Sequence, residues 1–164
     1  MIIHLRAPQV LTVIGVLALA ALGAALVAQY GFNMQPCPWC VLQRFIYIVI
    51  AVFALLGALV TGGARRGLGV LALLAALCGI ASALWQQLYA ANEASCDLTL
   101  AERITTGLHL DRLAPQLFIA YASCADAAVN VLGIPFAVWS CAMYVLLAVL
   151  LVWTLRVLGR ATRR

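Results

Sequence analysis

Four cysteines and one arginine carry the chemistry available to this chain. Cys37 and Cys40 stand in Cys-Pro-Trp-Cys, and Arg44 follows four residues on. Two thiols three positions apart can close a small, reactive disulfide. A structural disulfide usually closes a longer loop, which constrains the unfolded chain more. Pro36 precedes the pair, and Pro38 suits the first position of a helix, so that Cys37 is its cap and Cys40 its third residue. There Cys40 faces the positive end of the helix dipole, which favours the thiolate, the nucleophilic form. Arg44 lies one helical turn further on the same face. It is a cation placed to favour the Cys40 thiolate and any anionic acceptor beside it. An Arg that only reaches for lipid headgroups is the weaker reading, because ionisable residues inside apolar spans are functional by default.

Cys96 and Cys124 form a second set, bracketing a longer polar segment. Four cysteines allow three pairings, and the residues alone leave the choice open, with proximity favouring 37–40 and 96–124. One static framework tying two loops together is an alternative. So is a tetrahedral zinc site, but the second pair lacks short ligand spacing and no metal is expected. Cys78 and Cys141 fall within apolar runs and read as buried small hydrophobes. His4 and His109 have no partner pattern and receive no role.

The elements that position these residues follow from composition. Of 164 residues, 66% are hydrophobic and 9% charged, against about 45–50% and about 25% in ordinary soluble domains. That excludes a soluble globular enzyme, a disordered chain and a collagen-like one. It also argues against nucleic-acid binding, despite a pI near 9.1. Four apolar runs, 9–29, 41–61, 68–89 and 136–155, are each long enough for the hydrocarbon core, which takes about 20 helical residues. Pro135 opens the fourth. Trp85 and Tyr89 near the end of the third fit an aromatic belt.

Charge gives the orientation. All ten basic residues are Arg. Arg6 in the N-terminal tail, Arg65 and Arg66 between spans two and three, and Arg156, Arg160, Arg163 and Arg164 in the C-terminal tail share one side. Glu93, Asp97, Glu102, Asp111 and Asp126 lie on the other, with only Arg103 and Arg112. The positive-inside rule then puts both termini in the cytoplasm and loops 30–40 and 90–135 outside it. Cys37, Cys40, Cys96 and Cys124 thereby all fall where disulfides persist. The first apolar run is longer than the roughly 7–15 residues of a signal-peptide core, so it is expected to stay as a span. Leu110, Leu113, Leu117, Phe118 and Tyr121 recur at near-helical spacing, with Pro115 in a first turn. This predicts a short helix on the membrane surface, which either holds Cys124 near the bilayer and near Cys37 or merely covers the helix ends. The expected fold is all-α: one membrane domain, 1–164, built as an antiparallel four-helix bundle.

Two outer cysteine pairs, the first at the mouth of span two with Arg one turn later, resemble the DsbB family of bacterial inner-membrane disulfide-generating proteins. Cys37-Pro-Trp-Cys40-Val-Leu-Gln-Arg44 is the most specific stretch. The Cys96–Cys124 spacing, Ala-Pro-Gln-Leu-Phe before Cys124, and Gly-Ile-Pro entering span four agree with it. The resemblance implies electron flow from a periplasmic thioredoxin-fold oxidase of DsbA type to membrane quinone, the route by which a periplasm is kept oxidising. Carried over, Cys96 of a Cys96–Cys124 disulfide receives the partner thiolate. Cys124 then exchanges with Cys37, and Cys40 is released as a thiolate beside the quinone, with Arg44 stabilising the charge. Some family members carry a His near the end of span three. Here that region reads Trp85-Gln86-Gln87-Leu88-Tyr89, where Gln87 is a possible hydrogen-bond donor.

Two other functions compete. A vitamin K epoxide reductase-like oxidoreductase also joins dithiols to a quinone. Its quinone-side CxxC lies in the last core helix, where this chain has only Cys141. A non-enzymatic scaffold with two static disulfides would ignore quinone and survive mild dithiol. A transporter is disfavoured, because the spans hold almost no ionisable side chain besides Arg44.

Overall fold

The computed structural model describes residues 6–90 and 99–161. Cys96, Glu93 and Asp97 lie outside these residues, as do His4, Arg163 and Arg164.

Four long helices dominate: α1 (Ala7–Phe32), α2 (Pro38–Leu59), α3 (Gly62–Leu88) and α7 (Phe136–Ala161). All four are long and apolar enough to cross a membrane. The chain is an all-α four-helix membrane protein. Helix α1 packs on α2 and α7, and α3 packs on the same two, closing a four-sided bundle. Leu11, Ile14, Ile50, Tyr144, Leu147 and Leu151 fill its centre without exposure. The outward faces stay apolar, with Val16, Leu19, Leu74 and Val149 exposed. In lipid such faces cost nothing, and helices associate instead through close packing of small residues. Gly15 lets Leu55 of α2 lie against α1, and a Cβ at Gly79 would overlap the Tyr144 ring. That ring in turn stacks on Tyr47 at 4.3 Å.

The helix ends explain the turns. Asn33 ends α1 in the left-handed conformation (φ 53°), and the Met34 N–H returns to the Ala28 carbonyl at 3.1 Å. Both are marks of a Schellman stop. Pro38 begins α2, and Cys37 caps it. Helix α3 starts earlier than the apolar run, at Gly62. Arg65 and Arg66, expected in a loop, therefore sit on its first turns. The connection needs only Val60 and Thr61, and Arg65 Nε donates to the Gly57 carbonyl at 3.1 Å, covering the end of α2.

The segment before α7 holds three short helices, α4 (Leu100–Gly107), α5 (Leu110–Leu113) and α6 (Pro115–Phe118). The expected helix near Leu110–Tyr121 is thus two separate turns. Pro115 cannot continue α5, because it has no N–H and restricts the residue before it, so it starts α6 instead. Strands β1 (Asn130–Val131) and β2 (Ile134–Pro135) pair antiparallel around Leu132 and Gly133. Both turn residues have positive φ, the geometry of a two-residue hairpin. Pro135 ends β2, and α7 begins at Phe136.

Candidate active site

The site lies where α2 begins. Cys37, as cap, receives the Cys40 N–H on its sulfur at 3.4 Å, and the two Sγ atoms are 3.0 Å apart. Both are free thiols. Cys37 has no exposed surface, and Cys124 is 7% exposed.

Cys124 reaches this place because its segment is tied down at several points. The Pro36 carbonyl accepts from the N–H groups of Tyr121 and Ala122, at 3.0 and 3.3 Å. Tyr30 on α1 donates to the Gln116 carbonyl at 2.8 Å, and Arg44 Nη1 donates to the Leu117 carbonyl at 3.1 Å. Phe118 packs edge-on against Phe45 and joins Val41 and Leu110 in a small apolar cluster. Cys124 is thereby brought close enough to Cys37 and to the Trp39 backbone N–H for each to act on its thiol. Three sulfurs thus stand in sequence, 124, 37 and 40, with Cys37 in the middle.

Their protons are unequally held. Hydrogen bonding with Cys124, then with Cys40, and then burial push the Cys37 thiol well above its ordinary range. The same bond to Cys37 favours the Cys124 thiolate, helped by the Trp39 N–H and opposed by burial, and its pKa falls. Cys37 keeps its proton while Cys124 loses one first.

Arg44 is 4% exposed. Its Nη1 donates to Gln29 Oε1 at 2.7 Å as well as to Leu117, and its Nη2 to the Ala25 carbonyl at 3.5 Å. Its Nε is buried without a partner. A cleft of about 40 Å³ opens beside it, lined by Cys40, Gln43, Arg44, Gln86, Met34, Phe136 and neighbours from α1 and α7. Gln86, rather than Gln87, turns inward: its Nε2 lies 3.2 Å from Cys40 Sγ and 3.5 Å from Cys37 Sγ. The sequence signal for it was a glutamine inside an apolar span; only the helical phase decides which of the adjacent pair faces in. Cys78, expected to be buried, points outward from α3. Cys141 is half-buried on α7.

Fold and site define a multi-pass membrane protein with two adjacent thiols at one end of its bundle and a third thiol beside them. The chain matches the family described as "Disulfide bond formation protein DsbB" over residues 7–154, and it belongs to that family. It is 37% identical over 151 residues to "Disulfide bond formation protein B" of Pseudomonas syringae pv. tomato, covering 88% of this chain and 87% of that protein. A relative in Pseudomonas savastanoi pv. phaseolicola, "Disulfide bond formation protein B 1", is 38% identical with the same coverage. One in Cupriavidus metallidurans is 36% identical over 77% of this chain and 79% of its own length. No solved structure gives a significant match. The chain is thus a membrane protein of disulfide bond formation, a disulfide-forming oxidoreductase.

Proposed function

We propose that the protein is a thiol:quinone oxidoreductase of the bacterial inner membrane that reoxidises a periplasmic DsbA-type dithiol oxidase. The observation that carries this reading is the row of three sulfurs ending at a cleft with a buried, partly unpartnered cation. In the first exchange a partner thiolate attacks Cys96 of a Cys96–Cys124 disulfide; that bond breaks, a mixed disulfide forms at Cys96, and Cys124 leaves as a thiolate. Cys124 then attacks Cys37 of a Cys37–Cys40 disulfide, so that the 124–37 bond forms and the electron pair leaves on Cys40 Sγ.

The residues around Cys40 fit a quinone. Arg44 Nε is a buried donor in want of an acceptor, and a quinone carbonyl is an acceptor without a charge to desolvate. Gln43 and Gln86 add amides, while Met34, Phe136 and Ala28 give apolar contact. The cleft is smaller than a quinone ring, so binding requires its lining side chains to part. Arg44 and Gln86 would hold the ring edge beside Cys40. Membrane quinone, when bound, supplies the two-electron acceptor; the protein supplies orientation, a dry site and positive charge.

The test is quinone reduction by detergent-purified protein after addition of a reduced CxxC oxidase of DsbA type, in wild type and Cys40→Ser. Quinone reduction in step with thiol loss, absent from the variant, is the expected result. No reduction of ubiquinone or menaquinone, with the outer cysteines still oxidised in mild dithiol, would overturn the proposal in favour of a static scaffold.

A further inference from the structure

Gln43 and Gln86 have no part in the exchange as described, yet both are held deep in the bundle, 4% and 6% exposed. A buried amide is costly in lipid unless each end is satisfied. Here the bonds run in one direction. The Tyr144 hydroxyl on α7 donates to the main-chain carbonyl of Gln43 at 2.8 Å, steadying α2 at that residue. Gln43 Nε2 then donates to Gln86 Oε1 at 2.7 Å. With its oxygen occupied, Gln86 turns its NH₂ group to the sulfurs. Arg44 is nearby, but its Nη1 and Nη2 bond Gln29, Leu117 and Ala25 rather than Cys40. Among the described residues, the side-chain N–H donor to Cys40 Sγ is that of Gln86.

A neutral thiol is a weak acceptor, whereas hydrogen bonds to an ionised acceptor are roughly twice as strong as neutral ones. A donor fixed in this place therefore favours the charged form of Cys40 over the neutral one. We infer that Gln86 is a catalytic residue whose amide holds the sulfur released when the Cys37–Cys40 disulfide opens, and that Gln43 positions it by anchoring its oxygen. When Cys124 attacks Cys37, the Cys37–Cys40 bond breaks, its electron pair goes to Cys40 Sγ, and no electrons are gained or lost overall. Charge develops on Cys40 during that step, and the Gln86 N–H is already aimed at it. This is the logic of an oxyanion hole, applied to a leaving thiolate. The direction of exchange rests on the function proposed above; the hydrogen bond to the Cys40 thiolate does not, and it is tested without partner or quinone.

The experiment follows iodoacetamide alkylation of Cys40 in reduced, quinone-free protein as pH is varied, with the Cys40 peptide quantified by mass spectrometry. Gln86→Met keeps the side chain's length and removes the donor. At neutral pH its Cys40 rate should fall on the order of ten-fold, the effect of one charge-assisted bond on a thiolate population. Gln43→Met should give a smaller fall of the same sign. Gln86→His, which restores a ring N–H, should recover part of the rate, and Gln87→Met should leave it unchanged. If Gln86→Met fails to fold, Gln86→Asn, whose shorter arm withdraws the amide, carries the same expectation. Wild-type rates across the pH range in whichever of these two variants folds would overturn the inference. If Gln86 variants slow Cys40 alkylation in a protein that reduces no quinone, the proposed function falls and the inference stands. If quinone is reduced and Cys40 alkylation is unmoved by Gln86, the reverse holds.

Discussion

Cys37 lies between two sulfurs, and the thiols of Cys37 and Cys124 are shifted in opposite directions. The Cys37 thiol is pushed up by its bonds to Cys124 and Cys40, and the Cys124 thiol is drawn down by Cys37 and the Trp39 N–H. Since only the thiolate is nucleophilic, Cys124 is the more nucleophilic of the two in the reduced protein, in keeping with the attack on Cys37 proposed above. The sign gives a pH dependence. Below its pKa a thiol loses about ten-fold in thiolate fraction per pH unit, and above it reactivity levels off. Cys124 in reduced protein should therefore reach half its limiting alkylation rate below the ordinary thiol value of 9.0, and Cys37 only above 9.0. Cys37→Ala removes the bond that favours the thiolate, so the Cys124 midpoint should move back up. Peptide-resolved alkylation rates check this; Cys37 reacting before Cys124 would overturn that order. Arg44 contributes differently. Its bonds to Gln29 and Leu117 make it a strut between α1, α2 and the outer segment, as well as the nearest cation to the cleft.

The short turns α5 and α6 have little stability of their own, since one helical turn fixes several dihedrals for few bonds. Docking holds them. Phe118 is the apolar anchor, 8% exposed and packed on Phe45 and Val41. Phe118→Ala should loosen the segment by about 3 kcal/mol, the lower part of the range for a buried aromatic. Cys124 would then spend less time against Cys37. The measurement is the rate of Cys124–Cys37 disulfide trapping in a Cys40→Ser background under a mild oxidant, expected to drop at least ten-fold while the four long helices keep their circular dichroism. An unchanged trapping rate would mean that the hydrogen bonds to Pro36, Tyr30 and Arg44 hold Cys124 in place without the aromatic anchor. Here the limits of the sequence are instructive. The four long helices were legible because each is a long unbroken apolar run, and the start of α2 was legible from Pro38 and the cap at Cys37. Helix α3 began earlier than hydropathy indicates, because Arg65 finds a carbonyl at the end of α2 and polar residues can then be helical. Pro115 as a first-turn residue is legible in the sequence and starts α6, but the apolar spacing from Leu110 onward does not reveal that α5 is a separate turn before it. Which of Gln86 and Gln87 faces inward is not legible, because adjacent residues on a helix differ by about 100° in direction, and only the packed bundle sets the phase. Cys78 was read as buried because hydropathy does not distinguish a protein interior from lipid.

At the scale of the whole molecule, the sulfurs and the arginines lie at opposite ends. Cys37, Cys40 and Cys124 meet at the start of α2, whereas Arg65 and Arg66 sit at the start of α3 and Arg156 and Arg160 near the end of α7. Successive helices reverse direction, so the start of α2 shares an end of the bundle with the end of α3 and the start of α7, as the hydrogen bonds from Gln86 and the lining by Phe136 require. Among the described residues the arginine-rich end has no acidic residue to offset it, and basic residues close to the spans set orientation. That end should therefore face the cytoplasm. The consequence is chemical as well as topological, because a dithiol in a glutathione-buffered compartment is driven toward the reduced form, while outside it disulfides persist. Two single-cysteine reporters test the orientation. Leu132, at the hairpin tip, is 88% exposed at the sulfur end, and Arg160 is at the other. With the native cysteines replaced by Ser, a membrane-impermeant maleimide should label Leu132→Cys in spheroplasts and Arg160→Cys only after lysis. Labelling in the opposite order would place the sulfurs in the cytoplasm and remove the setting in which they can act as an oxidising relay.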